Sequence, residues 1–263
     1  MKVFSLSWFR HSDSGYESDR CGASKGIFFM GHLPAVIRAQ QYVFPDWKLI
    51  VHHDDRVMDL PYFPAMLKMH EKGVLELVYM GKAETLTGSM LWRLAPLFYP
   101  HVSVVACRDI DSLPMERDRK MLEAFVADPK ATAHVLHDSE SHSGPLMGGL
   151  SSFKGAEFRR VIGGVEAMHS ELTPWIDRLR VLGGDQHFMN NVLYPKMAQG
   201  LMIHTRRQMT NYRCYKALPA LPQETELDHV IKHVGASFDC VKALKILSEK
   251  DYPTKALIEE CEA

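Results

Sequence analysis

Residues 102–112 read VSVVACRDIDS, and this stretch decides the fold. Val102 to Cys107 is a continuous run of mostly apolar, β-branched residues, the pattern of a strand covered on both faces. It breaks off at Arg108-Asp109-Ile110-Asp111-Ser112, so two carboxylates two positions apart follow the strand's carboxyl end. On an extended backbone, side chains at i and i+2 point the same way, about 6–7 Å apart, within reach of one divalent cation. Ligands of open α/β sheets bind at the carboxyl ends of strands, where this pair falls. The sixteen aspartates of the chain would give about one Asp-x-Asp by chance, so position carries the argument rather than the motif.

Working outward, Pro114 suits the first turn of a charged-then-apolar helix predicted over Met115 to Ala127. Upstream, Leu86, Met90, Leu94 and Leu97 predict a helix around Glu84 to Phe98 with one buried face. Earlier strands are predicted at Val3 to Phe9, Trp47 to His52 and Val74 to Met80, with helices at Ile27 to Tyr42 and Tyr62 to Lys72 between them. Pro34 is expected to interrupt the first helix or open its second part. Strand and helix therefore alternate, which predicts an α/β fold with a mostly parallel, Rossmann-like central sheet. The second half is less regular. It holds a strand at Ala133 to Leu136, a Gly-rich loop at Gly144 to Gly155 around a short strand, and helices at Ala156 to Ala167 and Asp185 to Leu193. No repeat, low-complexity tract or linker divides the 263 residues, so one domain with an irregular C-terminal part is expected.

Composition narrows the function classes. An apolar content of 46% and a charged content of 24% are globular values. The formal net charge of -1 supplies no global field for nucleic acid or acidic membrane; Arg206-Arg207 with Arg213 and Lys216 is the best local basic patch. Five scattered cysteines without a CxxC pair point to a reduced, cytoplasmic protein, with Cys107 as a small buried hydrophobe. Met1 to Phe9 is too short for a signal segment, and no apolar run reaches the ~18 residues of a membrane span.

Four ordered segments carry a resemblance: MLWRLAPLF (90–98), VSVVACRDIDS (102–112), HVLHDSESHSGPLMGGLSSFKG (134–155) and GGDQHFMNNVLYP (183–195). Together they resemble bacterial and viral glycosyltransferases of the GT-A fold, similar to family 8-like nucleotide-sugar transferases. Those enzymes have a helix with an arginine, a strand ending in an RD-x-DS-type DxD motif, a GG-containing acceptor-side loop and a DQ helix. The likeness runs from about residue 27 to 240.

The resemblance implies a single GT-A domain over 1–263, with a nucleotide-sugar-binding half at 1–128 and an acceptor-side half at 129–263. It implies Mn²⁺ or Mg²⁺ as cofactor and a nucleotide-sugar donor, a UDP-sugar foremost. Asp109 and Asp111 would hold the metal, with Asp109 also at the donor's ribose and Ile110 lying between them at the donor. Arg93 would reach the donor's sugar or phosphates. Ser5 and Ser7 would lie where such folds seat the base; the neighbouring Trp8 reads equally as base contact or core. Gly148 and Gly149 would admit the transferred sugar, and Asp138 and His142 would flank that loop on the acceptor side. Asp185 and Gln186 would lie near the anomeric carbon, although Asp185 reads equally as a helix N-cap. A C-terminal histidine would complete the metal shell, His233 in preference to His204.

The implied activity is transfer of a hexosyl or pentosyl group to an acceptor hydroxyl, with the acceptor a glycan in preference to a modified nucleobase in DNA. A non-catalytic nucleotide-sugar binding module is the rival from another class, and the intact Asp109/Asp111 pair argues against it. A metallohydrolase cluster of His134, His137, Asp138 and His142 is disfavoured, because His134 and His137 fall on opposite faces of a strand.

Overall fold

The structure is a computed structural model and describes residues 1–9, 25–60, 63–85, 87–139, 142, 144–181, 183–205 and 216–218. Its first half alternates β1 (Lys2–Trp8), α1 (Lys25–Val43), β2 (Lys48–His53), α2 (Phe63–Glu71), β3 (Glu76–Tyr79), a 3-10 helix (Ser89–Phe98), β4 (Val104–Cys107) and α3 (Glu116–Ala127). The second half adds β5 (Ala133–His137), β6 (Ser151–Lys154), α4 (Gly155–Ile162), α5 (Val165–Leu172), α6 (Gly184–Phe188), α7 (Tyr194–Met197), β7 (Leu201–Thr205) and β8 (Lys216–Leu218). Among the described residues, eight strands form one sheet in the order β3-β2-β1-β4-β6-β5-β7-β8. All pairings are parallel except those of β6, which runs against both β4 and β5. The fold is a mixed α/β architecture with a mostly parallel central sheet. No helix among the described residues is long and apolar enough to cross a membrane.

Two apolar layers cover the sheet. Along β1 the side chains alternate, so Phe4, Leu6 and Trp8 enter the layer under α1, α2 and α3, while Val3 enters the layer under the 3-10 helix, α4 and α6. Val104 and Ala106 of β4 join the first layer, and Val105 and Cys107 the second. Strands buried on both faces read as unbroken apolar runs, which is why residues 102–107 look as they do. Trp8 stacks on Phe63 with ring centroids 6.0 Å apart, which places it in the core.

Four local expectations are corrected. The helix Lys25–Val43 continues through position 34 without a break. The segment expected as an α-helix at 84–98 is instead the 3-10 helix Ser89–Phe98. A 3-10 helix repeats every three residues, so Leu91, Leu94 and Leu97 stack in one row, and all three are buried. Pro96 within it has no N–H to donate to the Arg93 carbonyl, which accepts the Cys107 thiol at 3.6 Å. The single helix expected over 156–167 is two, because Gly163 turns the chain at φ +92. The segment Asp185 to Leu193 is α-helical only through Phe188, and Met189–Leu193 forms a π-helical turn ahead of Pro195. Strand β7 was not expected as an element.

Candidate functional site

The chain after β1 runs to β2 on one side, and the chain after β4 runs the other way towards β5, so the carboxyl ends of β1 and β4 form a topological switch point, where open α/β sheets bind their ligands in a crevice. Arg108 leaves β4 into this crevice but is itself buried. Its Nε and Nη2 donate to the Asp118 carboxylate of α3 at 3.0 and 2.6 Å, and its Nη1 donates to the carbonyls of Cys107 and Ser151 at 2.7 and 3.3 Å. This anchor sets where the next four residues emerge. They are not extended: the Ser112 N–H donates to the Asp109 carbonyl at 3.1 Å and closes a tight turn. The expected i and i+2 alignment of Asp109 and Asp111 on a strand is therefore corrected to two partly exposed carboxylates on one turn.

Arg93 is the pivot of the site. Its side chain is 4% exposed, whereas that of Asp109 is 47% exposed. Nη1 pairs with Asp109 Oδ1 and reaches the Arg108 carbonyl at 3.5 Å; Nη2 donates to Asp185 Oδ2 at 3.4 Å. One buried guanidinium thus joins carboxylates from two segments distant in sequence. Burial works against its charge, and the carboxylates, Asp109 foremost, outweigh that and hold it above the ordinary arginine value. Asp185 is pushed above the usual aspartate range by burial, with Asp109 adding to the shift and Arg93 opposing it. Cys107, buried beneath, has its thiol pushed up to about 12 by burial.

Gly148 and Gly149 close the same cluster. A Cβ at Gly149 would overlap the Asp109 carboxylate, and one at Gly148 would lie 2.8 Å from Arg93 Nη2 and 3.0 Å from Asp185 Oδ2. Only side-chain-free backbone fits over this charge cluster. Gln186 holds the loop there: its Oε1 accepts the Gly148 N–H at 3.0 Å and its Nε2 donates to the Leu146 carbonyl. Asn190 adds a bond from the Leu146 N–H to its Oδ1 at 2.8 Å. Both ends of the Gln186 amide are thus engaged by backbone, so its role here is to position the glycines.

Asp185 is not the N-cap of its helix. That place is taken by Gly183, in the left-handed region at φ 81, and Asp185 falls inside the first turn of α6. Its N–H donates to Thr87 Oγ1 at 3.2 Å. Ser7 Oγ donates to the Met90 carbonyl at 3.3 Å and is part-buried, and Ser5 is fully buried with its Oγ 3.5 Å from His52 Nδ1. Ile110 packs against the first apolar layer.

Other expected residues lie apart from this cluster. Asp138 has a fully buried side chain and pairs with Arg117 of α3 at 2.6 Å, rather than facing an acceptor. His142 is buried. His204 accepts or donates at 2.8 Å to His134, which stacks on Phe125. His233 lies outside the described residues. Sequence reasoning missed Thr87, Arg117 and Asp118, because an isolated threonine and two charges on an amphipathic helix carry no local signal of burial. For Arg108, the only signal was its place between a buried strand and the carboxylates.

Among the described residues, no group of three or more His, Cys, Asp or Glu is assembled that could hold a metal ion. The donor set at the turn is two carboxylates, Asp109 and Asp111, beside a buried arginine. That set fits a divalent ion of the kind held by one or two carboxylates plus substrate phosphates, and not one caged by protein alone.

No family model matches the sequence, and no curated protein matches it. Among solved structures, the chain is similar to mannosyltransferase PcManGT from Pyrobaculum calidifontis in complex with GDP-Man and Mn²⁺, at 12% identity and a TM-score of 0.47, over 98% of this chain and 78% of that one. It is similar to a cytidylyltransferase from Leptospira borgpetersenii at 10% identity and a TM-score of 0.43, over 95% and 94% of the two chains. It is also similar to an active-site mutant of LgtC at 8% identity and a TM-score of 0.47, over 95% and 96%.

Proposed function

We propose that the chain is a metal-dependent glycosyltransferase that moves a sugar from a nucleoside diphosphate sugar to an acceptor hydroxyl. One observation carries the reading. The Arg93 guanidinium, buried at the carboxyl end of the sheet, is shared between the half-exposed Asp109 and the buried Asp185, with the backbone of Gly148 and Gly149 packed directly against the three charges. A leaving diphosphate needs fixed positive charge on one side, and an oxocarbenium-like sugar needs negative charge on the other. This cluster supplies both within one network.

In this reading, the half at 1–128 contributes Arg93, Asp109 and Asp111 to the donor, with Ser7 near the carboxyl end of β1. The half at 129–263 contributes Gly148, Gly149 and Asp185 around the sugar. Asp109 and Asp111 would hold Mn²⁺ or Mg²⁺, which when bound neutralises the departing diphosphate. Arg93 adds a charge that cannot be titrated away, and Asp185 stands close enough to it to remain paired in the resting enzyme. Gly148 and Gly149 let the sugar approach the backbone. A glycan is the favoured acceptor, and the near-neutral charge disfavours DNA.

The test is a screen of nucleotide sugars, UDP-sugars first, for slow hydrolysis with Mn²⁺ and no acceptor. The expected result is turnover of one donor, abolished by EDTA and reduced at least ~100-fold in Asp111→Asn with an unchanged melting curve. Turnover that survives EDTA would remove the metal. A folded protein that neither binds nor turns over any nucleotide sugar would remove the glycosyltransferase reading itself.

A further inference from the structure

We propose that Thr87 is a positioning residue, whose buried hydroxyl sets the place of Asp185 relative to Arg93. The inference rests on the reading of Asp185 as a transition-state carboxylate, and adds a residue that the sequence pattern does not mark.

Thr87 is fully buried. Its hydroxyl donates to the Leu179 carbonyl at 2.9 Å, with the Val181 carbonyl as a second acceptor at 3.3 Å. The same oxygen accepts the Asp185 N–H at 3.2 Å. The Thr87 N–H also donates to the Leu179 carbonyl, at 2.9 Å. One residue therefore ties down both ends of the turn that leads from Leu179 to Asp185. The approach is tight: a Cβ at Gly184 would come within 2.8 Å of Thr87 Oγ1 and would overlap the Arg178 carbonyl oxygen.

Thr87 directly precedes Gly88, the N-cap of the 3-10 helix that carries Arg93. Arg93 and Asp185 are thus mounted on the same support, one through the helix and the other through the hydroxyl. Their separation of 3.4 Å follows from that shared mount. Coulombic interaction falls with distance, and a reacting group displaced by about 1 Å can lose ~100-fold in rate. A hydroxyl remote from the substrate can therefore control the rate without touching it.

The test compares Thr87→Val, which replaces the hydroxyl by a methyl of similar size, with Thr87→Ser, which keeps it. Amide hydrogen exchange followed by NMR should show faster exchange at Asp185 in Thr87→Val and near wild-type exchange in Thr87→Ser. For donor hydrolysis, Thr87→Val should lower kcat roughly 10- to 100-fold with donor KM little changed, and Thr87→Ser should recover most of that loss. In an Asp185→Asn background, Thr87→Val should cause little further loss of kcat, because both changes act on the same carboxylate. The proposal is overturned if Thr87→Val lowers the melting temperature while kcat stays at the wild-type value, or if its effect is undiminished in the Asp185→Asn background. A wild-type protein without nucleotide-sugar turnover would defeat the functional reading separately, and the exchange measurement would still decide whether Thr87 holds Asp185.

Discussion

In the proposed glycosyltransferase, Asp185 is the carboxylate beside the reacting sugar, and its surroundings separate two roles that look alike in sequence. Gly183 occupies the cap position, so asparagine at 185 leaves the helix start intact while removing the charge opposite Arg93. We expect Asp185→Asn to lower kcat by about 100-fold with donor affinity retained, a few kcal/mol of transition-state stabilisation. Normal turnover in this variant would reduce Asp185 to a packing partner of the arginine. A second residue, His52, is expected to make stability depend on pH. Burial pushes its imidazole down to about 4 from an ordinary 6.5, against the pull of its bond to the Leu6 carbonyl. Between those values the unfolded chain binds the proton and the folded chain does not, so stability is present above pH 6.5 and is lost as pH falls towards 4. The loss over this window is on the order of 3 kcal/mol. His52→Phe should flatten the stability-versus-pH curve between these limits by about one proton. Denaturation curves of equal slope in pH for both proteins would remove His52 as the cause. His134, also pushed down by burial, acts in the same direction and is common to both proteins.

At the scale of elements, the loop at 144–149 and the 3-10 helix Ser89–Phe98 form the two jaws around the Asp109 turn. The helix takes its form from Leu91, Leu94 and Leu97 at a period of three and from Pro96, which removes a hydrogen bond of the helix ladder. The loop takes its form from the Gln186 and Asn190 amides, which hold its backbone by side-chain bonds instead of a strand ladder. Gly149→Ala would press a methyl into the Asp109 carboxylate, which is half exposed and has solvent to move into. We expect a modest stability cost of about 1–2 kcal/mol and, on the proposed function, a large loss of turnover, because Asp109 must leave its place against Arg93. A thermal melt beside a kcat measurement checks this, and an alanine variant with full turnover would show that the loop does not bear on the carboxylate.

Across the whole molecule, α3 couples the two halves of the sheet through two buried ion pairs. Asp118 holds Arg108 at the end of β4, and Arg117 holds Asp138 at the end of β5. Each pair is worth little net against a well-packed apolar substitute, but breaking one strands a charge in the interior. Asp118→Ala should therefore cost about 3–5 kcal/mol in urea denaturation, and a cost under about 1 kcal/mol would show that Arg108 finds other partners. Because Arg108 sets the emergence of the Asp109 turn, this loss falls on the site as well as on the fold.

Residues 102–112 were sufficient for the buried strand and for the carboxylates at its end, since doubly covered strands lose their polar alternation and solvent-facing turns do not. The strand and helix alternation of the first half was legible for the same reason: periodicity records which faces are buried. What the sequence by itself could not determine is which distant groups share one environment. That Arg93 stands between Asp109 and Asp185, that a glycine pair roofs them, and that Asp138 is turned inward to Arg117 depend on packing between segments tens of residues apart. The form of residues 89–98 was likewise decided by tertiary contact, because both an α-helix and a 3-10 helix can bury leucines from such a sequence. In the folded chain the 91, 94 and 97 row is buried with Val3 of β1 and Val105 and Cys107 of β4, a fit that a period of three provides. Local pattern specifies which residues are buried; only the assembled sheet and its two layers specify what each buried charge meets.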